Sequence, residues 1–159
     1  MVYIKYVMSF WIWVSLFLLG SCNQEDDIDA IFAGGQTWHW SASYTTSNWK
    51  DDNNATDVLT RDQKKEITQS AEKYIIRFDK DGTFKGKGAS VSFNGHWSAD
   101  GKKGTFSLVM ESGNLSLSGL DKIFYDDLQA AQYYKGDSKN YIKLINGSRN
   151  RFIQFYVVE

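Results

Sequence analysis

Apolar and polar residues alternate along most of this chain, the pattern of strands with one buried face. In QTWHWSASY, Trp38 and Trp40 share one face while Thr37, His39 and Ser41 share the other. KYIIRFD puts Tyr74, Ile76 and Phe78 together, and DKDGT, with Gly82 free to take positive φ, turns the chain. From Ala89 the pattern resumes: Ala89, Val91, Phe93 and Trp97 face one way with Gly95 between them, against Ser90, Ser92, Asn94 and His96. Phe106, Leu108 and Met110 make a further strand, and Leu115 with Leu117 a short one. YIKLI and RFIQFYVV close the chain around Asn146-Gly147, a hairpin signal.

Two stretches break this period. Thr60 and Gln63 have capping-box spacing ahead of Ile67 and Ala71, which lie four apart on one face, so a helix starts at Thr60. Phe124, Leu128 and Ala131 recur at helical spacing and predict a second helix over residues 121–134. Residues 48–59, rich in Asn and Asp, read as a loop. The sum is seven or eight strands and two helices joined by short connections, which demand antiparallel neighbours. The expected fold is α+β: one domain built on a strongly curved antiparallel sheet or partial barrel.

The N-terminus is of another kind. Val7 to Leu19 are apolar except for Ser9 and Ser15, follow the single charge Lys5, and end at Gly20-Ser21-Cys22. Thirteen residues as a helix span about 20 Å, short of a hydrocarbon core of about 30 Å, so a signal sequence fits better than a spanning helix. The reading divides the chain into a signal over 1–21, an acidic tether over 22–30 and one domain over 31–159. Losing residues 1–21 removes Lys5 and no acid, leaving 17 basic and 19 acidic residues, a formal charge of −2. That balance, with Lys64-Lys65 and Lys102-Lys103 the only adjacent basic pairs, gives no footprint for nucleic acid. Cys22 is the sole cysteine, so the domain has no disulfide, thiol nucleophile or zinc–thiolate site.

Leu19-Gly20-Ser21-Cys22 resembles the lipobox of bacterial lipoproteins, in which the cysteine sulfur takes a diacylglycerol and the peptidase cuts before it. The resemblance implies a membrane partner reached through lipid on Cys22, with two or more acyl chains for stable anchoring. The acids that follow resemble the surface-export signal of Bacteroidetes lipoproteins, and Asn23 stands where aspartate would favour inner-membrane retention. The implied location is the outer membrane of the cell envelope, facing outward. In the domain, GGQTWHWSASY, YIIRFDKDGTFKGKG and Phe93-Asn94-Gly95-His96-Trp97 resemble motifs of the META domain. That family's Gly-Cys-Asn is replaced here by Gly88-Ala89-Ser90. Lipocalin-like lipoproteins share the early Trp strand and the Phe-x-x-Asp-Gly-Thr-Phe turn. Neither likeness carries over a catalytic residue.

Candidate chemistry is sparse. His39 and His96 are the only bases near neutral pH, and both alternate with tryptophans, which sends them outward. Asp79-Lys80-Asp81-Gly82 fails EF-hand spacing and reads as a turn. Asp51-Asp52 and Asp126-Asp127 are sequence neighbours whose carboxylates diverge, the pattern of a solvated surface. No catalytic, metal or cofactor site is expected, and the protein reads as a non-enzymatic envelope protein that meets another envelope protein or a small ligand. The one positive ligand hypothesis is aromatic: Trp38, Trp40, Phe93 and Trp97 on the concave face of a curved sheet, suited to an apolar or sugar ligand. An empty cavity there would make the protein a small-ligand carrier. A hydrolase ranks last.

Overall fold

The computed structural model describes residues 25–158 except 112, 114 and 138; the segment read as a signal, Cys22 and the first tether residues lie outside the described residues. The elements run α1 (Ile28–Phe32), β1 (Thr37–Thr46), β2 (Ala55–Asp57), α2 (Arg61–Thr68), β3 (Ile75–Phe78), β4 (Thr83–Lys87), β5 (Ser92–Asp100), β6 (Thr105–Met110), α3 (Gly119–Gln129), β7 (Ala131–Gly136), β8 (Tyr141–Asn146) and β9 (Arg151–Val158). Each strand from β3 to β9 pairs antiparallel with the next, and β1 pairs with both β3 and β9. The sheet therefore closes into an eight-stranded barrel, with β2 added as a short extra strand on the far half of β1. Closure removes the exposed edges of an open sheet.

Inward positions are the apolar members of each alternation. Trp38 and Trp40 on β1, Ile76 and Phe78 on β3, Phe84 on β4, Phe93 and Trp97 on β5, and Ile153 and Phe155 on β9 are all buried. An eight-stranded barrel has a lumen just wide enough for side chains to fill. Here β4 and β5 fill it by exchange of large and absent side chains: Phe84 sits opposite Gly95, and Gly86 opposite Phe93. A Cβ on Gly86 would lie 2.2 Å from the Phe93 ring.

Short helices stop the two ends. At one end α1 inserts Phe32 among Phe78, Trp97, Phe106 and Tyr134, with ring centroids 5.1–5.3 Å from its own. At the other, α3 crosses from β6 to β7 and inserts Phe124 and Leu128, neither exposed. The capping box is present, with Thr60 and Gln63 each bonding the other's backbone N–H, and α2 buries Ile67.

Four boundaries differ from expectation. The second helix ends at Gln129 and residues 131–136 are a strand; a register shift between Ala131 and Tyr133 hides its period. Leu115 and Leu117 lie in an irregular segment, half-buried. The loop over 48–59 contains the three-residue β2. The ordered fold also starts earlier than Ile31: Asp27 caps α1, and the Asp26 carboxylate accepts from the Tyr134 hydroxyl at 2.7 Å. The composition of these acids is that of a solvated tether, but the carboxylates of Asp26 and Asp27 satisfy donors of the fold.

Candidate functional site

The four aromatic residues expected to face a ligand are inside the barrel, and other rings occupy the space between them. Trp40 stacks on Phe124 at 5.2 Å, and Phe93 meets the same ring at 5.7 Å. Trp97 belongs to the opposite half, against Phe32, and its indole N–H donates to the Asp79 carbonyl at 2.9 Å. Trp38 is fully buried beside them on β1. The ring contacts form one column from end to end: Tyr134 to Phe32, Phe78, Phe84, Phe93, Phe124 and Trp40. The sequence placed Phe124 on a helix, but nothing in it showed that this ring and Phe32 would enter the lumen.

Trp38 Nε1 is the one buried side-chain polar atom without a hydrogen-bond partner among the described residues. An unpaired buried donor costs about 1–3 kcal/mol. Trp38→Phe removes that donor with part of the ring, so its urea midpoint should stay near wild type, within about 1 kcal/mol. Trp40→Phe should cost more, because Trp40 Nε1 donates to Ser43 Oγ at 3.2 Å.

Around α3 the polar groups converge. The expectation that Asp126 and Asp127 both face solvent holds for Asp126 and fails for Asp127, which is 7% exposed. Its carboxylate accepts from Ser43 Oγ at 2.6 Å and from Arg151 Nη2 at 3.0 Å, with Arg151 Nε on its other oxygen. The helix turn that exposes one carboxylate delivers its neighbour to the barrel rim. Asp121, in the first turn of α3, accepts from the backbone N–H groups of Ala89 (2.6 Å) and Ser90 (2.9 Å), clamping the β4–β5 connection.

Beside that clamp is a cleft of about 300 Å³ that contains Glu66, Tyr74, Ser90 and Asp121. Tyr74 has a left-handed backbone, φ +56, uncommon for a residue with a side chain. Its hydroxyl donates to Glu66 Oε1 at 3.0 Å, and burial, then this carboxylate, raise its pKa above the ordinary value. Glu66 and Asp121 thus each have a partner already. His39 Nε2 lies 3.2 Å from the Ser70 carbonyl and His96 Nε2 2.9 Å from Glu111 Oε1, both on the outer wall. Among the described residues no group of three or more His, Cys, Asp or Glu is placed to hold a metal.

Two outer surfaces stand out. At the β8–β9 hairpin, Arg149 lies 4.2 Å from the Tyr133 ring centre and 4.9 Å from that of Trp49, with Lys135 Nζ 4.8 Å from Trp49. Lys135 also donates to the Trp49 carbonyl, so this ladder fastens the 47–54 loop to the barrel. On the opposite wall, β1, β3, β4 and β5 form an open groove of about 450 Å³ containing Arg77, Lys85 and Lys87.

These features define a closed antiparallel barrel with an aromatic core and two helical end plugs, whose free chemistry is on its outside. The chain belongs to the DUF4847 family: the model of this domain of unknown function matches residues 23–157. A crystal structure at 1.00 Å of a DUF4847 family protein from Bacteroides vulgatus ATCC 8482 is 27% identical, covering 81% of this chain and 96% of that one, with a TM-score of 0.65. No curated protein matches the chain. The matched family bears neither the META nor the lipocalin name. The motifs that resemble those families are barrel-building patterns here: inward aromatics, the Phe–Gly exchange of β4 and β5, and Gly82 at φ +83 in the β3–β4 turn.

Proposed function

We infer that this protein is a lipid-anchored component of the cell envelope that acts without catalysis, through its outer surface. The observation that carries the reading is the aromatic column from Tyr134 to Trp40, which occupies the place where a small-ligand carrier with an open barrel pocket would hold its ligand. Partners on the outer wall are then the better reading than a carrier lumen. The engagement of His39 and His96 with Ser70 and Glu111 supports the non-enzymatic part.

The lipobox supports anchoring at Cys22. Asp26, held by Tyr134 and by the Gly101 carbonyl, is four residues further on. Four residues reach at most about 14 Å, so on this reading the α1 end rests close to the lipid. The Bacteroides relative supports the envelope of a Bacteroidetes cell as the setting.

Intact-mass analysis of detergent-extracted full-length protein tests the anchor. Wild type is expected to be cleaved before Cys22 and acylated, and Cys22→Ala to retain residues 1–21 without lipid. Uncleaved, unacylated wild type would overturn the proposal. Protease shaving of whole cells then tests outward exposure, which full protection would contradict.

A further inference from the structure

The barrel wall is electrically one-sided. Its eight strands carry the cations Arg77, Lys85, Lys87, Lys135, Lys143 and Arg151 and a single acid, Asp100, at the last position of β5. The other described acids lie in turns, helices, connections and the added strand β2. Of the strand cations, Lys143 is buried, Arg151 is paired with Asp127 and Lys135 lies against Trp49, so the exposed ones are those of β3 and β4.

The basic character is densest in the wall groove. Arg77 pairs in register with Lys85, and Lys85 with Asn94, in one outward row that Thr37 extends. Ile75 pairs with Lys87, and Lys87 with Ser92, in the next row, which His39 extends. The rows cross from β1 to β5, about 14 Å at three strand spacings. Two acids border them: Asp79, 3.5 Å from Arg77 Nε, and Glu111, bonded by His96 and Asn94. Asp121, near the end of β4, is turned to the backbone of Ala89 and Ser90. Lys85 and Lys87 are exposed and make no ion pair among the described residues.

We propose that this groove binds an acidic polysaccharide, with Arg77, Lys85 and Lys87 on its carboxylate or sulfate groups and Thr37, Ser92 and Asn94 on its hydroxyls. The choice of a glycan rests on the envelope reading above. Two observations favour it over other polyanions. The two rows carry no Trp, Tyr or Phe outward, since Phe93 points into the lumen and the exposed Tyr156 lies one strand further on, on β9 beside His39, and stacking platforms are what single-stranded nucleic acids use. The groove also lies along the side of the barrel, whereas Asp26, four residues after Cys22, is held at the α1 end, so on the anchoring reading a bilayer is not what the groove faces.

The test uses full-length protein in detergent, with heparin and alginate as probes, and dextran and single-stranded DNA for comparison. At low salt, heparin or alginate should bind and dextran should not. The triple variant Arg77→Gln/Lys85→Gln/Lys87→Gln should bind about tenfold more weakly with a shallower salt dependence, because each lost cation releases fewer counterions. The charge-matched variant Lys80→Gln/Lys102→Gln/Lys103→Gln should stay within about twofold. Arg77→Lys/Lys85→Arg/Lys87→Arg should bind like wild type, and melting curves check that all three remain folded. Equal weakening by the charge-matched variant, DNA bound as tightly as the glycans, or no glycan binding would each overturn the proposal. The mass at Cys22, read on the same sample, separates the two claims: acylated protein that ignores glycans sinks only the groove, and unlipidated protein that binds them sinks only the anchor.

Discussion

Gly95→Ala is expected to destabilise the barrel by at least about 3 kcal/mol, which lowers Tm by about 10 °C in a domain of this size. A Cβ at position 95 would lie 1.9 Å from the Val109 carbonyl oxygen and 3.0 Å from the Phe84 ring. The first contact is with backbone, so relief requires β5 and β6 to part where Gly95 pairs with Met110. Gly86→Ala meets only the Phe93 ring, a side chain that can be replaced. Thermal melts of four variants separate the cases. Phe93→Leu should recover part of the loss in Gly86→Ala, whereas Phe84→Leu should recover almost none in Gly95→Ala. A Gly95→Ala protein that melts within 2–3 °C of wild type, roughly 1 kcal/mol, would refute this account of the pair exchange.

Asp127→Ala should cost about 2–4 kcal/mol in urea unfolding, the next largest effect. It leaves the Arg151 guanidinium half-buried without its carboxylate and removes the acceptor of Ser43, which is itself fully buried. Breaking such a pair costs more than the pair contributes, because the remaining charge keeps its desolvation penalty. The expected order is therefore Asp127→Ala above Arg151→Ala above Ser43→Ala. The double variant Asp127→Leu/Arg151→Met should regain most of the loss. A double variant no better than Asp127→Ala would mean that the network does more than satisfy its own members.

Much of the wall was legible in the sequence because a strand reports its orientation through a period of two. Trp38, Trp40, Tyr74, Ile76, Phe78, Phe93, Trp97, Phe106 and Leu108 are buried as their alternation predicts, and His39 and His96 face outward. Periods failed where structure is short or irregular. Five-residue α1 and three-residue β2 are too short to show one, and the bulged start of β7 continued the apparent helical spacing of α3.

The candidate site was less legible, because it depends on which residues meet. Phe32 and Phe124 are separated in sequence by five of the eight barrel strands, yet together they turn an expected pocket into a core. Asp127 looks like Asp126 until the direction of α3 across the rim is known. Arg77, Lys85 and Lys87 appeared scattered because strand residues two apart, and residues on paired strands, become neighbours only when the register is set.

The sequence by itself determined the antiparallel β-rich class and the inward face of most strands, since each is written in local spacing and residue type. Tertiary structure alone decided that the sheet closes, that aromatic end plugs fill it, and that Arg77, Lys85 and Lys87 come together on the β3–β4 wall. Closure, plugging and charge clustering depend on contacts between residues far apart in the chain, and local periodicity carries no record of those distances.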